Sequence, residues 1–160
     1  MLTNERNSCV LSVVGILVSL AATLLLAACG GGAGAAQLPV TTGKLGQVVP
    51  VEGGGQYLDI LPQELMAMLE TKDFFFVNVH VPYEGEIEGT DSFIPFDQVQ
   101  DRLDEFPASR DAKIVLYCRS GSMSAIAARA IVSAGYTNIY NLDGGFRAWA
   151  AAGDELIQSP

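Results

Sequence analysis

The residues that could do chemistry gather in one short stretch, Tyr117-Cys118-Arg119-Ser120-Gly121-Ser122-Met123-Ser124. Cys118 follows the apolar run Ile114–Tyr117, which reads as a buried strand, and precedes a polar, glycine-containing turn that opens an Ala- and Ile-rich helix. A thiol so placed stands at the carboxyl end of a strand, where open α/β sheets bind their ligands. The helix N-terminus that follows it offers backbone N–H groups without intrahelical partners. Such donors, with Arg119 as an adjacent cation, favour thiolate, the nucleophilic form of cysteine. Ser120, Ser122 and Ser124 add hydroxyl donors. A small apolar cysteine buried in a core is the bland alternative, and the polar CRSGSMS context speaks against it.

The count of cysteines strengthens this reading. The chain has three. Cys9 and Cys29 bound residues 9–29, CVLSVVGILVSLAATLLLAAC, 21 residues without charge or proline. About 20 apolar residues suffice to cross a bilayer, and a secretory signal has a similar apolar middle before a small-residue cleavage site. Leu26-Ala27-Ala28-Cys29 resembles the lipobox of bacterial lipoproteins, which implies that residues 1–28 are a signal peptide and that Cys29 is acylated as the first residue of the mature chain. Arg6 is the only basic side chain before the run, and Glu5 offsets it. With Cys9 in the apolar segment and Cys29 lipidated, Cys118 has no partner in the chain. A lone thiol outside the cytoplasm implies a working cysteine. Gly30 follows Cys29, so no acidic inner-membrane retention signal stands there. The implied location is a cell membrane or outer membrane, lipid-anchored on the extracytoplasmic side.

Charge narrows the partners. Nine Lys and Arg stand against 18 Asp and Glu, a net charge of −9. A nucleic-acid binder needs a basic stripe to neutralise phosphates, and this composition argues against one. A small cationic pocket for an anionic substrate stays compatible with it, because net charge describes steering rather than local sites. The mean hydropathy of +0.30 is high, with the excess concentrated at the start.

The elements that must position Cys118 follow from periodicity. Residues 29–56, rich in Gly with Pro39, Pro50 and the Gly53-Gly54-Gly55 triplet, read as a flexible tether. One ordered domain is expected over residues 57–155, a common domain size. Residues 57–60 suggest a strand; Pro62 suits a helix first turn, with Leu61, Leu65, Met68 and Leu69 on one face. Residues 74–79 and 114–117 read as buried strands. Asp97 could cap a helix to about Glu105, with Val99, Leu103 and Phe106 inward. Residues 124–134 form a helix stopped by Gly135. A strand lies within residues 136–142 and a last helix over residues 146–152. Strands alternating with helices predict an α/β fold with a mostly parallel central sheet.

These motifs resemble the rhodanese family of sulfurtransferases. Tyr117-Cys118-Arg119-Ser120-Gly121 is similar to the active-site loop of its single-domain members, and residues 124–128 continue as the following helix does. Leu142-Asp143-Gly144-Gly145-Phe146-Arg147-Ala148-Trp149 resembles the carboxyl-terminal L-x-G-G-x-x-x-W signature. The resemblance implies a three-layer sandwich with helices on both faces of the sheet. It also implies a catalytic Cys118 that carries a persulfide, with Arg119, Ser120, Gly121, Ser122, Met123 and Ser124 lining the substrate loop. The implied partners are a small anionic sulfur donor and a thiol or protein acceptor, with a membrane contacted through the lipid anchor and no nucleic acid. No cofactor or metal is expected. A membrane-tethered persulfide carrier or interaction module is the non-enzymatic alternative.

The sequence also departs from the family pattern. Asn78-Val79-His80 stands where the family usually has D-V-R, residues 83–91 replace a G-H-I-P-G turn, and Met123 replaces a frequent Arg, removing a cation that would hold thiosulfate. His80, the single histidine, reads as a polar residue at a strand end. Glu84, Glu86, Glu88 and Asp91 read as a solvated acidic loop. Cysteine phosphatases and arsenate reductases, a rival class, need Arg six positions after the nucleophile to grip a tetrahedral anion. Here that position is Ser124. In Trp149 and Gly144-Gly145 we read a core anchor and a turn that lets backbone pass closely.

The export reading has a direct check. The mature protein should begin at an acylated Cys29 and partition with membranes. Intact-mass analysis that found an unmodified Met1 start in the soluble fraction would overturn it.

Overall fold

The computed structural model describes residues 45–158. The signal-peptide reading, Cys29 and most of the tether reading fall outside them. Six strands form one sheet: β1 (Gln47–Pro50), β2 (Gln56–Ile60), β3 (Phe75–Asn78), β4 (Ser92–Phe93), β5 (Ile114–Tyr117) and β6 (Ile139–Leu142). Their order across the sheet is β1-β2-β6-β5-β3-β4. Only the β1–β2 pair is antiparallel; the other four pairings are parallel. Among the described residues three helices accompany them: α1 (Pro62–Leu69), α2 (Ser122–Ser133) and α3 (Gly145–Ala151).

Strand alternation builds the two faces. On β5, Ile114 and Leu116 join a core with Ala127, Ala128 and Ile131 of α2, while Val115 and Tyr117 point into a second core. That second core holds Leu65 of α1 and Phe146 and Trp149 of α3. Helices therefore cover both faces, as a parallel sheet buried on both sides requires. The α/β architecture is that of the sequence reading, with Trp149 a core anchor at 6% exposure.

Two sequence expectations change. The tether over residues 29–56 and a domain start at residue 57 give way, in the described part, to a hairpin. Pro50 pairs with Gln56 and Gln47 with Asp59, and Gly53, Gly54 and Gly55 turn at φ of 91°, 113° and 81°. The same glycines and proline that suggest a linker also suit a tight turn and an edge strand, where the missing proline N–H costs no ladder bond. The helix expected from Asp97 is instead a run of turns ending in a 3-10 turn, Leu103–Glu105. Asp104 and Glu105 would oppose the negative end of a helix dipole, and Pro107 follows at once. Val99 and Phe106 are nevertheless buried, as the pattern demanded. Among the described residues no helix is long and apolar enough to cross a membrane.

One buried hydroxyl ties the loop before β4 to the central strand. Tyr117 Oη accepts the Ile87 N–H at 3.0 Å and lies 2.7 Å from Thr90 Oγ1. Burial pushes the Tyr117 phenol well above its ordinary value near 10. A raised native pKa stabilises the fold below pH ~10, and that contribution is lost as pH climbs further, because the unfolded phenol ionises first. Tyr117→Phe should cost about 1–3 kcal/mol near neutrality by stranding the Ile87 N–H. It should also flatten the alkaline fall in stability. Denaturant midpoints measured from neutral to alkaline pH check both effects, and an unchanged alkaline slope would count against them.

Candidate functional site

The thiol lies where a central strand meets a helix N-terminus. β5 ends at Tyr117, Cys118 is next, and α2 begins four residues on at Ser122. The turn between them closes because Gly121, the residue before the helix, adopts φ 88°, a conformation that costs glycine little. A Cβ there would also press to 3.2 Å on the Gly144 N.

The thiol is covered, with Cys118 1% exposed and packed beside the α2 core. Here the sequence reading, which set a polar turn against a core cysteine, is corrected: Cys118 is both part of the core and the floor of the loop. Ser124 Oγ lies 3.4 Å from Cys118 Sγ and 3.1 Å from the Gly121 carbonyl oxygen, and its single proton is shared between them. Ser124 is fully buried. Among the described residues, no protein acceptor takes the backbone N–H groups of residues 119–124. Successive free N–H groups in such a turn make an anion-binding concavity.

What orients those peptides is the start of α3. Phe146 N donates to the Cys118 carbonyl at 2.9 Å, and Arg147 N donates to the Arg119 carbonyl at 3.1 Å. The first free N–H groups of one helix thus hold the two carbonyls at the base of the thiol loop. Contact this close requires glycine: a Cβ on Gly145, at φ 58°, would stand 2.1 Å from the Cys118 oxygen. The turn at Gly144-Gly145 is the close backbone passage expected of it, and its partner proves to be the thiol loop itself. Two glycines ahead of a short helix were the available signal; which backbone they approach was not.

The remaining loop residues divide by exposure. Ser120 and Ser122 are exposed, Gly121 is buried, and Met123 is half-buried and packs against the α2 core. Arg119 turns outward, with Nη1 3.3 Å from Glu84 Oε1. The second Glu84 oxygen lies 3.4 Å from His80 Nε2. His80 is 5% exposed and stands edge-on to Phe146, with ring centroids 5.4 Å apart. Asn78 shapes this corner, accepting the His80 N–H at 3.0 Å and donating to the Gly85 carbonyl at 3.1 Å.

The acidic loop is therefore only partly solvated. Glu84 holds Arg119, and Asp91 binds Lys72 and the Phe76 N–H. The link from Glu84 to Arg119 spans 35 positions, and nothing in either local sequence announces it. Among the described residues no group of three or more His, Cys, Asp or Glu is arranged to hold a metal.

The rhodanese-like domain family model matches residues 61–152. A sulfurtransferase from Allochromatium vinosum is 35% identical over 93 residues, covering 56% of this chain and 84% of that one. A thiosulfate sulfurtransferase GlpE from Pseudoalteromonas translucida is 40% identical over 48 residues, 30% of this chain and 46% of that one. Among solved structures, a rhodanese-like domain protein from Staphylococcus aureus superposes with a TM-score of 0.53 at 29% identity, covering 64% of this chain and 98% of that one.

The clasp by α3 is testable through its glycine. Gly145→Ala should destabilise the domain by at least ~2 kcal/mol, because carbonyl and Cβ cannot share the space. Gly153→Ala, also at positive φ but with nothing within 4 Å, should cost only about 1 kcal/mol. Denaturant unfolding of the pair checks this, and equal losses would mean that the contact carries no weight.

Proposed function

Since the chain belongs to the rhodanese-like domain family, we propose that it is a sulfurtransferase that moves sulfane sulfur from a thiosulfate-type donor to a thiophilic acceptor through a Cys118 persulfide. The observation that carries this reading is the thiol just before a helix N-terminus, in a loop whose backbone N–H groups at residues 119–124 have no protein acceptor among the described residues. In the first step the Cys118 thiolate attacks the outer sulfur of the donor. The new S–S bond forms as the donor's own S–S bond breaks, and sulfite leaves with the bonding pair. The terminal persulfide sulfur is anionic, and free N–H groups of residues 119–124 would stabilise it. Ser124 Oγ supplies a further donor beside Sγ. A thiol, a protein thiol or cyanide then removes the outer sulfur and restores the thiolate. This is covalent catalysis in two half-reactions, with ping-pong kinetics. The chemistry calls for no cofactor or metal.

A slow or non-catalytic persulfide carrier is the second reading, and the 1% exposure of Cys118 favours it to the extent that an acceptor must reach a covered sulfur. The resemblance of residues 26–29 to a lipobox supports placing either activity on the outer side of a membrane, on a lipid anchor. The net charge of −9 supports small-molecule or protein partners rather than nucleic acid.

Cys118→Ser should abolish sulfur transfer to cyanide while keeping the fold, because a serine hydroxyl cannot form a persulfide and still has Ser124 as a partner. Arg119→Ala should leave part of the activity, since the backbone donors persist. Turnover with cyanide, alongside unfolding midpoints for both variants, checks this. Transfer surviving in Cys118→Ser would move the nucleophile elsewhere and end the reading.

A further inference from the structure

Arg119 is the only cation in the thiol loop, residues 118–124, and it is already paired. Its partner is held by a well-fixed stretch of chain. Residue 85, next to Glu84, is tied through its carbonyl to Asn78 Nδ2, and Glu86 exchanges two backbone hydrogen bonds with Ile157, each 2.8 Å. The carboxylate spans two partners, with Oε1 at Arg119 and Oε2 at His80. Among the described residues the buried His80 ring nitrogens make no hydrogen bond, and Nε2 lies 3.4 Å from Glu84 Oε2.

We propose that Glu84 is a specificity-determining residue: by holding Arg119 it cancels the loop's cation and turns the site from sulfonate-bearing donors toward hydropersulfides. The inference rests on sulfur transfer through Cys118 and, within that reading, ranks a hydropersulfide above the thiosulfate-type donor. Thiosulfate arrives as a dianion, and its sulfonate needs positive charge while the outer sulfur is attacked. The loop offers it an arginine whose charge a carboxylate already offsets, and Met123 brings none. A hydropersulfide has no sulfonate to hold. Its reaction balances without one: Cys118–S⁻ and R–S–SH give Cys118–S–SH and R–S⁻, the S–S bond of the donor breaking as the new one forms. The sulfur transferred to Cys118 is the same in both reactions, so the side chains that can separate the donors are Arg119 and Glu84.

The test reads sulfur uptake alone, with no acceptor, as the initial rate of a one-sulfur mass gain on Cys118 in the full-length protein. Thiosulfate and 2-hydroxyethyl hydropersulfide are compared under identical conditions. Glu84→Gln, with Glu84→Ala as a second variant, should raise the thiosulfate-to-hydropersulfide rate ratio roughly two- to fivefold, the scale of a half-exposed ion pair. The gain should shrink with added salt. In an Arg119→Ala background the same substitution should lose most of its effect. An unchanged or lower ratio would overturn the proposal, as would an undiminished gain without Arg119, which would make Glu84 a bare repulsive charge. A wild-type protein that takes sulfur from neither donor would instead overturn the sulfur-transfer reading, and the donor preference with it.

Discussion

The geometry of the site depends on one contact, the close stacking of the Gly144-Gly145 turn on the backbone of Cys118 and Arg119. A peptide has a carbonyl and an N–H on opposite edges. Fixing the Cys118 and Arg119 carbonyls against α3 by the Phe146 and Arg147 N–H groups therefore fixes where the following N–H groups face. A helix start is well suited to the task because its first donors have no partners of their own. The thiol loop is thus held at both ends: β5 pins its start in the sheet, and α2 takes up its end. The α3 turn presses from beneath, through an approach that only a residue without Cβ permits.

The strand before Cys118, the helix after it and the α/β alternation were legible because they depend on local patterns, whereas the helices on both faces of the sheet came only from the family resemblance. Four apolar residues before a cysteine read as a strand, and a Ser- and Gly-rich turn before Ala-Ile-Ala-Ala reads as a helix start. The hairpin of β1 and β2 was hidden, because Pro50 and three glycines carry the same local signal in a linker and in a tight turn. Only pairing with residues 56–59 tells them apart. The expected helix near residue 100 failed for the converse reason. Its apolar spacing is real and buries Val99 and Phe106, yet successive turns satisfy that spacing equally well where acids and a proline crowd the end. The Glu84 link to Arg119 and the Tyr117 link to Ile87 span 35 and 30 positions, so no window along the chain contains both partners.

Burial and polarity coexist at Cys118 because they belong to different atoms. The side chain fills space beside α2, as a small sulfur-bearing group does readily, while the backbone after it supplies the donors. Ser124 joins the two as a fully buried hydroxyl shared between the sulfur and the Gly121 carbonyl. An acidic protein can in this way present an anion-attracting spot without a basic surface, since the partial charges come from peptide groups that net charge does not count.

The two borders of the sheet carry a separate consequence. One outer strand, β1, ends in Pro50, and the other, β4, is two residues long. A strand can recruit a foreign chain only where it shows a run of unpaired N–H and C=O groups, and a proline or a very short strand interrupts that run. Neither border is a good template for a visiting strand. Among the described residues neither border therefore offers a continuous ladder to a second chain, and self-association into fibrils by border-to-border pairing is discouraged by the same design.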